Sequence, residues 1–138
     1  MNLRNTLELL WCSPTIRAMA GNTLSRFIGP RRTGWDLVIV ESPFAGADPR
    51  YLRDCLRDCI ARGESPYASH GLLPGALDDA DPEQRRRGID AGFAWRLYAD
   101  RTVVYTDLGI SRGMQAGIEH AQSMDHPIEY RSLSEWTR

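Results

Sequence analysis

Short β-branched runs alternate along this chain with segments of helical periodicity, and that alternation restricts the fold more than any other feature. Leu37-Val38-Ile39-Val40 is a continuous apolar run, β-branched at three of its four positions. It predicts a strand buried on both faces. The turn Ser42-Pro43-Phe44-Ala45-Gly46-Ala47 follows, and Asp48 then precedes Pro49, the pairing of an N-cap with a first helical residue. Leu52, Cys55, Leu56, Cys59 and Ile60 recur at helical spacing, with Arg50, Arg53, Asp54, Arg57 and Asp58 on the wet side. Gly63 is the expected stop. Ser65-Pro66-Tyr67-Ala68-Ser69 reads as a second short strand, and residues 71–80, with two glycines, a proline and acidic residues, as a loop. Asp81-Pro82 repeats the helix start, with Gln84 placed to close a capping box and Ile89, Gly92, Phe93 and Leu97 as the apolar stripe. Thr102-Val103-Val104-Tyr105-Thr106 predicts a third strand, and Asp107-Leu108-Gly109-Ile110 a turn. Ser111 can cap a last helix carrying Met114, Ile118 and Ala121, before a short strand at Pro127-Ile128-Glu129-Tyr130.

The order β-α-β-α-β-α-β implies right-handed crossovers and a parallel sheet covered by helices, a small doubly wound α/β domain. That domain is expected over residues 35–138. Residues 1–34 hold two short apolar clusters and end in the breaker-rich run Gly29-Pro30-Arg31-Arg32-Thr33-Gly34. They read as an N-terminal extension, either with one or two short helices or partly disordered.

Composition removes several classes of function. A net charge of -1 argues against bulk electrostatic binding of nucleic acid. No apolar run reaches the roughly 20 residues that span a bilayer, and residues 1–20 have no continuous apolar stretch of the secretory kind, so no membrane association is expected. Three cysteines in unpatterned positions make no disulfide framework, which points to a reducing cytoplasm. All 17 basic Lys/Arg positions are arginine, so lysine Schiff-base chemistry and a Walker-type phosphate loop are excluded. No His/Cys/Asp cluster has metal spacing, and neither a metal nor a cofactor is expected; Cys55 and Cys59 read as core residues.

In doubly wound sheets, ligands bind beyond the carboxyl ends of the strands, where the strand order reverses. That rule selects three loops: Glu41-Ser42-Pro43-Phe44, Ser69-His70-Gly71 and Asp107-Leu108-Gly109-Ile110-Ser111.

Those loops carry a resemblance. Val38-Ile39-Val40-Glu41-Ser42-Pro43-Phe44 is similar to the opening strand and Pro-Phe turn of the nucleoside 2-deoxyribosyltransferase-like family. Residues 103–127 resemble that family's strand-Asp-x-Gly segment, its small-residue helix and the start of its last strand. The similarity covers roughly residues 36–133 and is strongest to short uncharacterised members common in phages and bacteria. It implies a flavodoxin-like (Rossmann-like) three-layer domain with a parallel sheet of four to five strands, and a pocket for a nucleoside or nucleotide. In such transferases a glutamate attacks the anomeric carbon and expels the base. It precedes a helix glycine by two positions; with Gly117 as that glycine, Gln115 stands where the glutamate belongs.

The resemblance therefore leaves two readings. In one, the protein acts on an N-glycosidic bond with Glu119, one helical turn beyond Gln115, or Glu41 as the carboxylate. Asp107 positions the sugar and His70, with an expected pKa near 7, protonates the leaving base. In the other, a phage-encoded or bacterial protein binds or sequesters a nucleotide without catalysis. A third reading is an interaction protein with no small ligand. Ligand contacts are expected from Ser42, Pro43, Phe44, Gly109, Ser111, Gly113 and Met114, with Phe44 stacking on a base and the helix start at Ser111 holding a phosphate. Each has a structural alternative: Asp107 can cap turn N–H groups, Ser111 can be an N-cap only, Phe44 can pack on the sheet edge, and His70 can be exposed. A homo-oligomer is expected because a small sheet has free edges.

Overall fold

The computed structural model describes residues 34–133. The extension expected over residues 1–34 therefore lies outside the described residues except for Gly34, as does Cys12. The element order is β1 (Asp36–Glu41), α1 (Pro49–Ala61), β2 (Glu64–Tyr67), α2 (Ser69–Leu72), a 3-10 turn (Leu73–Gly75), α3 (Pro82–Ala94), a second 3-10 turn (Trp95–Leu97), β3 (Arg101–Tyr105), α4 (Arg112–Ser123) and β4 (Ile128–Arg131). The sheet has four parallel strands in the order β2-β1-β3-β4. This is a small flavodoxin-like (Rossmann-like) α/β domain, and its strand order reverses between β1 and β3.

Side chains alternate across the strands, so each face has its own filling. Val38, Val40, Val103 and Tyr105 meet Tyr51, Cys55 and Cys59 of α1 on one face. On the other, Val104 meets Met114 and Ile118 of α4, with Ile128 beside them. The helix starts follow their expected chemistry. Asp48 accepts the Arg50 N–H at 2.9 Å, Asp81 that of Glu83 at 2.9 Å, and Ser111 Oγ that of Met114 at 3.3 Å. Met114 completes the last cap by accepting the Ser111 N–H on its sulfur at 3.4 Å. Gly63 follows α1 with φ +77°, a conformation that favours glycine.

Several expectations are corrected. Leu37 is 45% exposed, so β1 is buried on both faces only over Val38, Ile39 and Val40. In α1 the ridge on the sheet is Tyr51, Cys55 and Cys59, an i, i+4, i+8 row. Ile60 is turned outward, and Tyr51 replaces it in the core. The expected loop over residues 71–80 holds the end of α2 and a 3-10 turn, elements too short to leave a period in the sequence. Gln84 does not close a capping box. Its amide donates to Asp81 Oδ2 and accepts from the Asp78 N–H.

The largest correction concerns α3. Of its expected stripe only Gly92 is buried; Ile89 is 40% exposed, and Leu97, in the following 3-10 turn, is 67% exposed. The helix packs through its glycines against α2 and the first 3-10 turn. A Cβ on Gly92 would lie 2.6 Å from Ser69 Oγ, and one on Gly88 3.1 Å from Leu77. The layer beneath is filled instead by Arg96.

Candidate functional site

Glu41, the last residue of β1, and Ser42, the first after it, point to opposite sides of the sheet, as strand alternation requires. Ser42 is buried, and its Oγ is 2.9 Å from His70 Nε2, at the start of α2. Phe44, 44% exposed, packs edge-on against the His70 ring at 5.9 Å. Burial pulls the His70 imidazole down to about 4. The ring is therefore neutral near pH 7, unlike the expected imidazolium acid. It exchanges a hydrogen bond with Ser42 and has no strongly acidic proton to give.

Asp107 follows β3 and binds structure on both sides. It accepts the Tyr51 hydroxyl at 2.7 Å and the Leu133 N–H at 3.0 and 3.1 Å. Its carboxylate thus joins the start of α1 to the segment after β4. Gly109, at φ +79°, closes the turn with its N–H on the Thr106 carbonyl. Ser111 and Gly113 are exposed at the start of α4, where the first N–H groups of a helix have no intrahelical acceptor. Met114 is 2% exposed in the core beside Val104, so its side chain has no surface to offer a ligand. Pro43 is half-buried beside the Ser42–His70 pair.

The three carboxylates and amides considered for the reacting position separate clearly. Met114, Gly117, Ile118 and Ala121 form the buried side of α4, whereas Gln115 and Glu119 are exposed. The Gln115 amide donates to Glu119 Oε1 at 3.0 Å, a surface i, i+4 pair. Glu41 faces the sheet side of the same helix. A Cβ on Gly117 would overlap the Glu41 carboxylate, so this glycine is what lets the carboxylate fit under α4. The Glu41 side chain is 13% exposed, and burial pushes its carboxyl up to about 7 despite the opposing Arg96.

Arg96 was not distinguishable in the sequence from the other arginines near it. Its side chain is 1% exposed, and every guanidinium nitrogen has a partner. Nη2 donates to Glu41 Oε1 at 2.8 Å, Nε to Thr102 Oγ1 at 3.2 Å, and Nη1 to His120 Nδ1 at 2.6 Å. The Phe93 ring lies 5.1 Å from its Cζ and stacks on His120 at 4.1 Å. Nothing in the sequence singles out His120 or Arg96. The nearest to a signal is a charged residue set between Phe93 and Leu97, within the stretch that predicted an apolar stripe.

An open groove of about 400 Å³ lies between α3 and α4, lined by Asp90, Phe93, Ala94, Leu97, His120 and Met124. It reaches the Arg96 cluster through His120 and is separate from the Ser42–His70 pair. Among the described residues no group of three or more His, Cys, Asp or Glu side chains could hold a metal ion. None of the described helices is long and apolar enough to cross a membrane.

The candidate site lies at the carboxyl ends of the strands, where the strand order reverses. A neutral Ser–His pair and an exposed phenylalanine stand on one side of it, the open start of α4 stands beyond β3, and a shielded carboxylate faces α4. No curated protein and no solved structure matches the chain. A family model does match residues 36–131, and the chain belongs to that family, described as Domain of unknown function (DUF7768).

Proposed function

We propose that the chain binds a nucleoside or nucleotide across the carboxyl ends of β1 and β3 and acts on its N-glycosidic bond, in the manner of the nucleoside 2-deoxyribosyltransferase-like proteins it resembles. The observation that carries this reading is the position of Glu41. It is a carboxylate at the strand-order reversal, shielded enough that burial raises its carboxyl to about 7, and fitted against Gly117. A raised pKa makes the ionised oxygen more basic and a better nucleophile. In the reaction, a Glu41 oxygen bonds to the anomeric carbon as the carbon–nitrogen bond breaks. The electron pair of that bond leaves with the base, which takes a proton from water. Water or a second base then displaces the sugar and restores the carboxylate.

The surrounding residues support a ligand of this class. Phe44 offers an exposed aromatic face for a base. Neutral His70, held at Nε2 by the buried Ser42 hydroxyl, has its other ring nitrogen for hydrogen bonding. Ser111 and Gly113 open α4, where helix N–H groups and the dipole favour an anion such as a 5′-phosphate. Assembly of two or more copies through the exposed apolar side chains around α3, and a cytoplasmic setting, are parts of the same reading.

One observation favours a second reading, a nucleotide-binding protein without catalysis. Gln115 occupies the position of the family nucleophile and pairs with Glu119 on the outside of α4. A phage-encoded form of such a protein would sequester its ligand.

Chromatography for released base separates the two. The protein is incubated with a panel of nucleosides, nucleotides and NAD, beside Glu41→Gln and Glu119→Ala variants. The expected result is release that falls by about 100-fold or more in Glu41→Gln and persists in Glu119→Ala. Undiminished release in Glu41→Gln overturns the role given to Glu41. A ligand recovered intact, co-eluting with the protein, establishes the binding reading instead.

A further inference from the structure

We propose that Arg96 is a positioning residue for Glu41: it fixes the orientation and the charge of that carboxylate, while neutral His120 keeps the guanidinium in place. The inference rests on the reading of Glu41 as the reacting carboxylate.

The geometry is that of a three-way clamp. Arg96 comes from the 3-10 turn before β3, Thr102 from β3, His120 from α4 and Glu41 from the end of β1. A guanidinium has donors only and a rigid planar fork, so fixing two of its corners fixes the third. Thr102 Oγ1 and His120 Nδ1 hold two corners, at 3.2 and 2.6 Å, and Glu41 takes the third at 2.8 Å. Phe93 covers the guanidinium face at 5.1 Å and stacks on His120, so neither group swings out without breaking that contact. Gly117 bounds the carboxylate from the helix side.

The same contacts define charge. Because Arg96 can only donate, His120 must accept on Nδ1 and carry its proton on Nε2. A doubly protonated His120 would set an N–H against an N–H. Among the described residues, Arg96 is the charged side chain that acts on Glu41. The other titratable groups near Arg96 are His120 from α4 and His126 from the segment before β4, and Asp100 acts on His126. Burial and Arg96 together hold both histidines towards their neutral forms. Glu41 therefore stands against one fixed positive charge and no competing cation.

The test reads Glu41 directly, without substrate. Its carboxyl carbon is followed by NMR through a pH titration in the full chain, in wild type and in Arg96→Met, Arg96→Lys, His120→Leu and His120→Gln. Loss of the guanidinium in Arg96→Met is expected to raise the Glu41 midpoint by about one pH unit or more. Arg96→Lys, which keeps the charge, returns most of that shift. His120→Leu raises the midpoint by less, and His120→Gln, whose amide oxygen can accept from Nη1, restores it. The acid limb of the base-release profile moves in parallel. A folded Arg96→Met protein with an unmoved midpoint overturns the proposal. Where Arg96→Met does not fold, equal midpoints in wild type and His120→Leu overturn it. A midpoint that moves in a protein that releases no base leaves control of Glu41 by Arg96 standing and overturns the glycosidic reading alone.

Discussion

On the α1 face of the sheet, Val38, Val40, Val103 and Tyr105 lie against Tyr51, Cys55 and Cys59, none of them more than 1% exposed. On the α4 face the largest buried side chain is Arg96, between Glu41, Thr102 and His120, while Ile89, Trp95, Leu97 and Tyr98 near it are turned outward. The first face is filled by apolar packing, with the Tyr51 and Tyr105 hydroxyls bonded at its margin to Asp107 and Asp58. The second has its own apolar cluster of Val104, Met114 and Ile118, but beside it stand matched polar atoms, which are costly to bury unless every one is satisfied. A sheet face filled by a charge stands only as a complete set, and that completeness is what gives Glu41 a fixed place.

The largest expected effect is on the apolar face. Tyr105 is fully buried, and its hydroxyl donates to Asp58 at 2.6 Å and lies 3.3 Å from the Cys59 sulfur. Tyr105→Ala leaves a cavity under α1 and is expected to cost about 3–5 kcal/mol. Urea unfolding checks this. A loss below about 1 kcal/mol would mean that the α1 face closes over the gap and is not the tightly packed side.

Gly117→Ala gives a smaller effect, and a more discriminating one. The new methyl group overlaps the Glu41 carboxylate, which Arg96 holds in place. The clash is expected to cost about 1–3 kcal/mol, partly offset by the roughly 1 kcal/mol that alanine gains over glycine inside a helix. With Glu41 also replaced by alanine, the clash disappears and Gly117→Ala becomes neutral or stabilising. This double-mutant cycle measures the contact between Glu41 and α4. Additive effects of the two substitutions would place Glu41 elsewhere.

The same contrast explains what could be read from the sequence. The α1 face was legible because its residues are apolar at helical and strand spacing: Val38, Val40, Cys55 and Cys59 were all expected inside. Helix starts at Asp48, Asp81 and Ser111 were legible because each cap is a local event between residues two or three apart. The positions of the three loops at the carboxyl ends of β1, β2 and β3 followed from the strand order of such folds. Arg96 was not legible, because its burial depends on partners six, 24 and 55 positions away. The exposure of Ile89 and Leu97 was hidden for the same reason: their periodicity is that of a core helix, but Arg96 fills the layer between α3 and the sheet. Glu119 lies one helical turn from Gln115, but the face of α4 that they share is turned outward because Met114, Ile118 and Ala121 fix the buried side.

The smallest expected effects are slopes of stability with pH, and they differ in sign between two buried carboxylates. Glu64 lies beside Cys59 near the end of α1 and takes 2.7 Å bonds from both terminal nitrogens of Arg131, and another from Arg101. Burial pushes its carboxyl up, but those bonds outweigh it and hold the group at about 2. The unfolded chain therefore binds this proton first as pH falls, so the stabilisation present above 4.5 is lost progressively towards 2. Glu41 does the reverse. Burial outweighs its single arginine, and between 4.5 and 7 the folded chain keeps a proton that the unfolded chain has released. Its contribution to stability accordingly declines as pH rises through that window and is level above it. His70, lowered to about 4, adds an opposite slope between 6.5 and 4, so the quantity to read is the difference from each variant and not the wild-type curve alone. Urea midpoints measured from pH 3 to 8 are expected to lose part of their acid sensitivity below 4.5 in Glu64→Gln, since Asp58 and Glu129 are also held low, and to lose the decline between 4.5 and 7 that Glu41 contributes in Glu41→Gln. Parallel curves for wild type and Glu41→Gln across that window would mean that Arg96 outweighs burial, and that the carboxylate is ionised throughout.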